Sequence, residues 1–220
     1  MRKYIFLVLI SLLVIISGCD KDEIINNLID SKITATEKLG EVLTKARADF
    51  SGDALLAAIY GRDVSTTGEV DLANNSSLST FVYVVQSDQL QSNEFYVPVF
   101  GAGPVKSPVN FSTMLSFIKD TTASTVMGTV FGKLATVGID PAAAYDDSPQ
   151  AISKALNAGG NAFMNQNTGS KIDMFLVPGK SIDTTLTVSN TADWIMNFYS
   201  ENKSLVLWIR GNNITIISGN

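Results

Sequence analysis

The sequence predicts an α+β protein built as two repeated units, each a helix packed on an antiparallel β-meander. Three observations carry that expectation. Two small-residue helical stretches, KLGEVLTKARADF and SPQAISKALNAGGNAF, each precede a β-rich block. The blocks run in the same order, FVYVVQSD, FYVPVF and GAGPV in the first half and WIMNFYSE, LVLWIR and GNNITI in the second. One plan used twice, at low identity, fits duplication of a supersecondary unit, with chance alternation in two β-rich segments as the competing account. The first unit is placed at residues 34–109, a connecting segment at 110–146 and the second unit at 147–220. Residues 1–18 and 19–33 precede them as leader and tether.

The leader starts with basic Arg2 and Lys3, followed by an apolar run from Ile5 to Ile16 broken only by Ser11. About a dozen residues is too short to span a bilayer, which takes about 20, and has the length of a signal-peptide core. Ile16-Ser17-Gly18-Cys19 follows, with small residues ahead of the chain's single cysteine. This resembles a bacterial lipobox. The resemblance implies cleavage before Cys19 and diacylglyceryl attachment to its thiol, which makes the membrane a partner through lipid on Cys19. Several acyl chains anchor stably where one does not. An uncleaved anchor with an incidental cysteine is the plainer alternative. Asp20-Lys21-Asp22-Glu23 is similar to the surface-export signal of Bacteroidetes lipoproteins. Asp directly after the Cys also resembles the inner-membrane retention signal of enterobacteria. The expected location is the cell envelope, lipid-anchored at the outer membrane or exposed on the surface, with the leaflet open.

From Thr34, Leu39, Val42, Leu43, Ala46 and Phe50 recur at helical steps, with charged residues mostly opposite. Ser51-Gly52-Asp53 ends that helix, and Asp53 is expected to cap a further helical turn from Ala54 to Tyr60, closing at Gly61. Val64 to Leu72 reads as a short strand or turn, and 73–77 as a loop by composition. Thr80 to Gln86 is β-branched and aromatic, a strand. Glu94 to Phe100 is another, with Pro98 implying an edge position or bulge. Gly101 to Pro104 turns the chain, and Val105 returns as a third strand. Phe111 to Leu134 has no clear period. Asp147 or Ser148 caps the next helix with Pro149 at its first position, and Ala151, Ile152, Ala155, Leu156 and Ala158 form its apolar side. Gly159-Gly160 stops or bends it. Ile172 to Val177 and Thr184 to Val188 read as strands. Trp194 to Tyr199, Leu205 to Ile209 and Ile214 to Ile217 form a three-stranded meander.

The run Asp147-Ser148-x-x-Ala151-x-x-x-Ala155-x-x-x-Gly159-Gly160, followed by Trp194-x-x-x-Phe198-Tyr199, an apolar strand and a Gly-Asn turn, resembles PepSY-type domains of cystatin-like build. The likeness covers 147–217 best and 37–107 more weakly. It implies a curved sheet on a helix and non-catalytic roles such as peptidase regulation or peptide and ligand binding. The family's acidic residue and T-G turn are replaced here by Arg210-Gly211-Asn212-Asn213.

Composition excludes several activities. The 220 residues contain no histidine and one cysteine, so neither a His-based triad nor a His- or Cys-rich metal site can form from side chains. The net charge of -5 gives no general attraction to nucleic acid. No cofactor is expected. Asp146 and Asp147 could do acid–base work, but adjacent acids before a Pro-initiated helix fit capping better. Gly101-Ala102-Gly103 and Gly159-Gly160-Asn161 lack a phosphate-loop context. Ser153 and Lys154 are helix neighbours pointing about 100° apart. Gly211-Asn212-Asn213 lacks the acids of a calcium loop. Trp194, Met196 and Phe198 share one strand face, and Ile195, Asn197 and Tyr199 the other. One face fits the core; the other, with Trp208 beside it, fits a binding surface. Trp194, Tyr199 and Trp208 are therefore the ligand-binding candidates. The expected function is a non-catalytic envelope binding or regulatory module with a protein or peptide partner. The rivals are a carboxylate-dependent hydrolase and a structural subunit of a surface assembly.

Overall fold

The computed structural model describes residues 31–73, 79–118, 121–179 and 191–219. Cys19, residues 20–30 of the expected tether and the expected strand Thr184 to Val188 lie outside the described residues, whereas the end of that tether, Lys32 and Ile33, forms a short strand. In chain order the elements are β1 (Lys32–Ile33), α1 (Leu39–Asp49), β2 (Leu55–Arg62), β3 (Val70–Asp71), β4 (Thr80–Ser87), β5 (Ser92–Val99) and β6 (Gly103–Lys106). Then come α2 (Phe111–Phe117), α3 (Thr121–Phe131), α4 (Ser148–Ala155), a π-helical turn (Leu156–Gly160) and α5 (Asn161–Gln166). Four strands follow: β7 (Lys171–Pro178), β8 (Ala192–Tyr199), β9 (Ser204–Arg210) and β10 (Asn213–Gly219).

The expectation of two helix-on-meander units is overturned. Eight strands form one antiparallel sheet in the order β10-β9-β8-β7-β2-β4-β5-β6, and β1 pairs separately with β3. The join is the β2–β7 ladder, where Ile59 lies opposite Leu176, Tyr60 opposite Phe175 and Gly61 opposite Met174. The described residues from Lys32 onward make one compact unit.

The segment that joins the meanders is the one expected to be a helical turn. Leu56 to Gly61 is buried without a break. A strand covered on both faces has no polar side to show, so it reads as a continuous apolar run rather than an alternation. Asp53 does not cap a helix. Its carboxylate accepts hydrogen bonds from the Ser51 and Ser87 hydroxyls and from the Gln89 N–H, which ties the turn before β2 to the β4–β5 turn. These donors hold it down to about 2.

One sheet face carries α1, α4 and α5. Val42 and Ala46 of α1, Ala151, Ile152 and Ala155 of α4, and Phe163 of α5 pack on Ile59, Tyr83, Met174, Trp194, Met196 and Phe198. Asp147 caps α4: its Oδ1 accepts from the Ser148 N–H (2.7 Å) and from the Thr36 N–H (3.1 Å). Ser148 Oγ accepts from the Ala35 N–H (2.9 Å), so the same cap anchors the segment leading to α1. Gly160 lies directly under Phe198, where a Cβ would sit 2.5 Å from Cζ.

The other face is covered by the stretch that has no readable period. Met114, Ile118, Met127, Val130, Phe131 and Leu134 bury Tyr60, Val82, Val84, Phe95, Phe175 and Ile195. Rings run in series from Phe95 through Phe111 and Phe131 to Phe175, which stacks on Tyr60 at 4.6 Å. The helical period is obscured because α2 and α3 have no charged residue and many hydroxyls. Those hydroxyls bond their own backbone, Thr125 to the Thr121 carbonyl and Thr129 to the Thr125 carbonyl, on an outer face built without charge.

Candidate functional site

The three candidate rings do not form one surface. Trp194 is 2% exposed on the α4 face, and its Nε1–H donates to the Asp146 carbonyl (2.9 Å). Trp208 lies opposite Ile195 and so on the other face. Its Nε1–H donates to Asp193 Oδ2 (2.9 Å), with the Arg210 guanidinium 4.7 Å from its ring centre. Tyr199 shares that face but stands four residues, roughly 13 Å, along β8. It is half-buried, with its hydroxyl 3.4 Å from Asp173 Oδ1.

The polar residues singled out in the sequence have structural partners. Lys154 Nζ contacts Asp146 Oδ2 (2.6 Å) and the Gly211 carbonyl (2.7 Å), bracing the β9–β10 turn, while its neighbour Ser153 is exposed. Arg210 donates through Nη2 (2.7 Å) and Nε (3.0 Å) to Asp193, which is 0% exposed. Gly159 takes φ 129 inside the π turn, and Gly101 and Gly103 take positive φ in the β5–β6 turn, which is turn chemistry.

A second polar group was not legible as a site. Asp173 stands on β7 opposite Asn197 of β8 and is 0% exposed. It accepts from the Tyr60 hydroxyl (3.1 Å) and the Asp63 N–H (3.0 Å). Burial pushes its carboxyl up to about 6, against the pull of those two donors and of Arg62. Burial and the Asp173 charge hold the Tyr60 hydroxyl far above the usual tyrosine range. Asn197 Oδ1 is buried without a hydrogen-bond partner. The sequence signal was faint: one acid inside the run Ile172 to Val177.

Grooves open between these elements among the described residues. One of about 610 Å³ lies at one end of β4 and β5, between Leu72, Ala73, Thr80, Val97, Val99 and Phe100. One of about 350 Å³ runs between Leu43, Leu55, Ile139 and Tyr145, and one of about 290 Å³ between Asp146, Lys154 and Trp194. Asp173 lines none of the three.

The sheet's two edges differ. β6 has four residues, begins Gly-Pro and ends in Lys106, which pairs with Glu94 at 2.9 Å. Pro104 there faces Pro98, which lies beyond the Tyr96 end of the β4–β5 ladder. β10 has seven residues, none charged and none proline, and among the described residues its strand partner is β9. A bulge falls between Ile216 and Ser218, and Ile216 is 62% exposed. Pro, Lys and short length blunt an edge; β10 has none of these.

Among the described residues no group of metal-ligating side chains occurs, and no helix is long and apolar enough to cross a membrane. Compared with known proteins, the chain matches no family model, no curated protein and no solved structure.

Proposed function

We infer that the protein is a lipid-anchored envelope binding module that takes an extended segment of a protein partner as an added strand on β10. The observation that carries this reading is the contrast between the two edges: β6 is blunted by proline and charge, and β10 is not. Strand addition draws affinity from main-chain hydrogen bonds and selectivity from side chains that alternate along the edge. Ile216 and its neighbours supply the apolar part of that selectivity. The lipobox around Cys19 supports placement in the envelope, and the PepSY resemblance agrees with a non-catalytic role.

The structural partners of the acids favour binding over hydrolysis. Asp193 is held by Arg210 and Trp208, and Asp147 by backbone N–H groups. Asp173 is held by the Tyr60 hydroxyl and the Asp63 N–H and is absent from the lining of the three grooves described above.

The test uses a displayed library of short peptides selected on the purified protein. Selected peptides are expected to slow amide hydrogen exchange in β10 and to lose binding with Ile216→Lys, whose melting stays near wild type because the side chain is exposed. Peptides that bind Ile216→Lys equally well, or protect only other strands, would overturn the reading. Association of the protein with itself through β10, removed by the same variant, would favour a structural subunit.

A further inference from the structure

We propose that the β5–β6 turn, with Phe100 at its tip, faces and contacts the bilayer interface. The inference rests on lipid attachment at Cys19 and adds an orientation to it. Val99 is 41% exposed, Phe100 44% and Val105 39%, a cluster of large apolar side chains at one end of the sheet. Gly101 and Ala102 complete an uncharged turn, and both are exposed. Such a patch on a soluble face calls for a partner, and rings at an interface bury one side while the other stays wet.

The path of the chain selects lipid as that partner. Lys32 pairs with Asp71 in the β1–β3 ladder. The next residues after Asp71, Leu72 and Ala73, line the same groove as Val99 and Phe100. The chain from Cys19 therefore joins the sheet beside this turn. Twelve residues, 20–31, separate Cys19 from Lys32. Fully extended they reach about 40 Å, and any slack or helix brings the sheet closer to the membrane. The opposite end of β5 carries Asp88-Gln89-Leu90-Gln91, a mostly polar turn. Basic and acidic residues both occur at the Phe100 end, including Lys171 paired with Asp63 at 2.7 Å, so the contact is apolar rather than driven by net charge.

The experiment uses the full-length acylated protein, purified from bacterial membranes and reconstituted into phosphatidylethanolamine–phosphatidylglycerol vesicles. Acylation consumes Cys19, so Ala102→Cys or Leu90→Cys offers a single thiol for a nitroxide label. Collision with oxygen and with a water-soluble nickel chelate reports depth. The Ala102 label is expected at headgroup depth and the Leu90 label in water. Adding Phe100→Ser should return the Ala102 label to water. Two aqueous labels on acylated, vesicle-bound protein would overturn the proposed orientation while leaving the anchor standing. Protein that carries no acyl chain and does not sediment with vesicles would overturn both.

Discussion

Asp173 concentrates the electrostatic strain of this molecule in one carboxyl. Tyr60, Asp63, Arg62, Tyr199 and Asn197 surround it, and burial outweighs its hydrogen bonds. Its folded pKa lies above the unfolded value, so the fold favours the neutral form. That stabilisation is whole below about pH 4 and is lost as pH rises through about 6. At neutral pH the ionised form is therefore the one the fold disfavours. Asp173→Asn removes the titration and places an amide donor opposite the unpartnered Asn197 Oδ1. The variant is expected to melt above wild type at pH 7.5 and to converge with it near pH 4.5. A difference that stays flat across that range would contradict the assignment. None of this was legible beforehand, because one Asp in a strand does not announce which face it shares or what lies over it.

At the scale of elements, sequence pattern read correctly where one face of an element differs from the other. Val42 and Ala46 of α1, and Ala151 and Ala155 of α4, fall on the buried side that their spacing implies. Trp194 and Phe198 sit on one face of β8 and Ile195 on the other, as alternation requires. The pattern failed where that contrast vanishes. β2 is buried on both faces, and α2 and α3 turn hydroxyls rather than charges outward. The π turn after α4 offers a packing test. Gly160→Ala would force a methyl to 2.5 Å from Phe198 Cζ and 3.0 Å from the Ala155 carbonyl. Overpacking of this kind costs about 1–3 kcal/mol, several degrees of melting temperature. Gly128→Ala in α3 meets nothing within 4 Å and should instead gain up to about 1 kcal/mol of helix propensity. Equal melting of the two variants would show that Phe198 does not sit over the turn.

For the whole molecule, the decisive contact is β2 against β7, which turns two meanders into one sheet with two ends and two edges. Misreading β2 as helical removed that contact from the sequence picture, and with it the single sheet. The candidate aromatic surface dispersed for a related reason: Trp194 and Trp208 lie on adjacent strands but opposite faces, both now covered by helices over much of their area. What the assembled sheet adds is a contrast between its edges, β6 carrying proline and charge and β10 carrying neither. The most direct measurement places a photo-crosslinking residue at Ile216 and, separately, at Val105 next to β6 Lys106, in intact cells that produce the protein. A discrete protein adduct is expected from Ile216, abolished when Ile214, whose N–H points away from β9 in the hairpin register, is changed to Pro, with none from Val105. Adducts at Val105 and not at Ile216, or Ile216 adducts that survive the proline, would contradict partner binding by strand addition on β10.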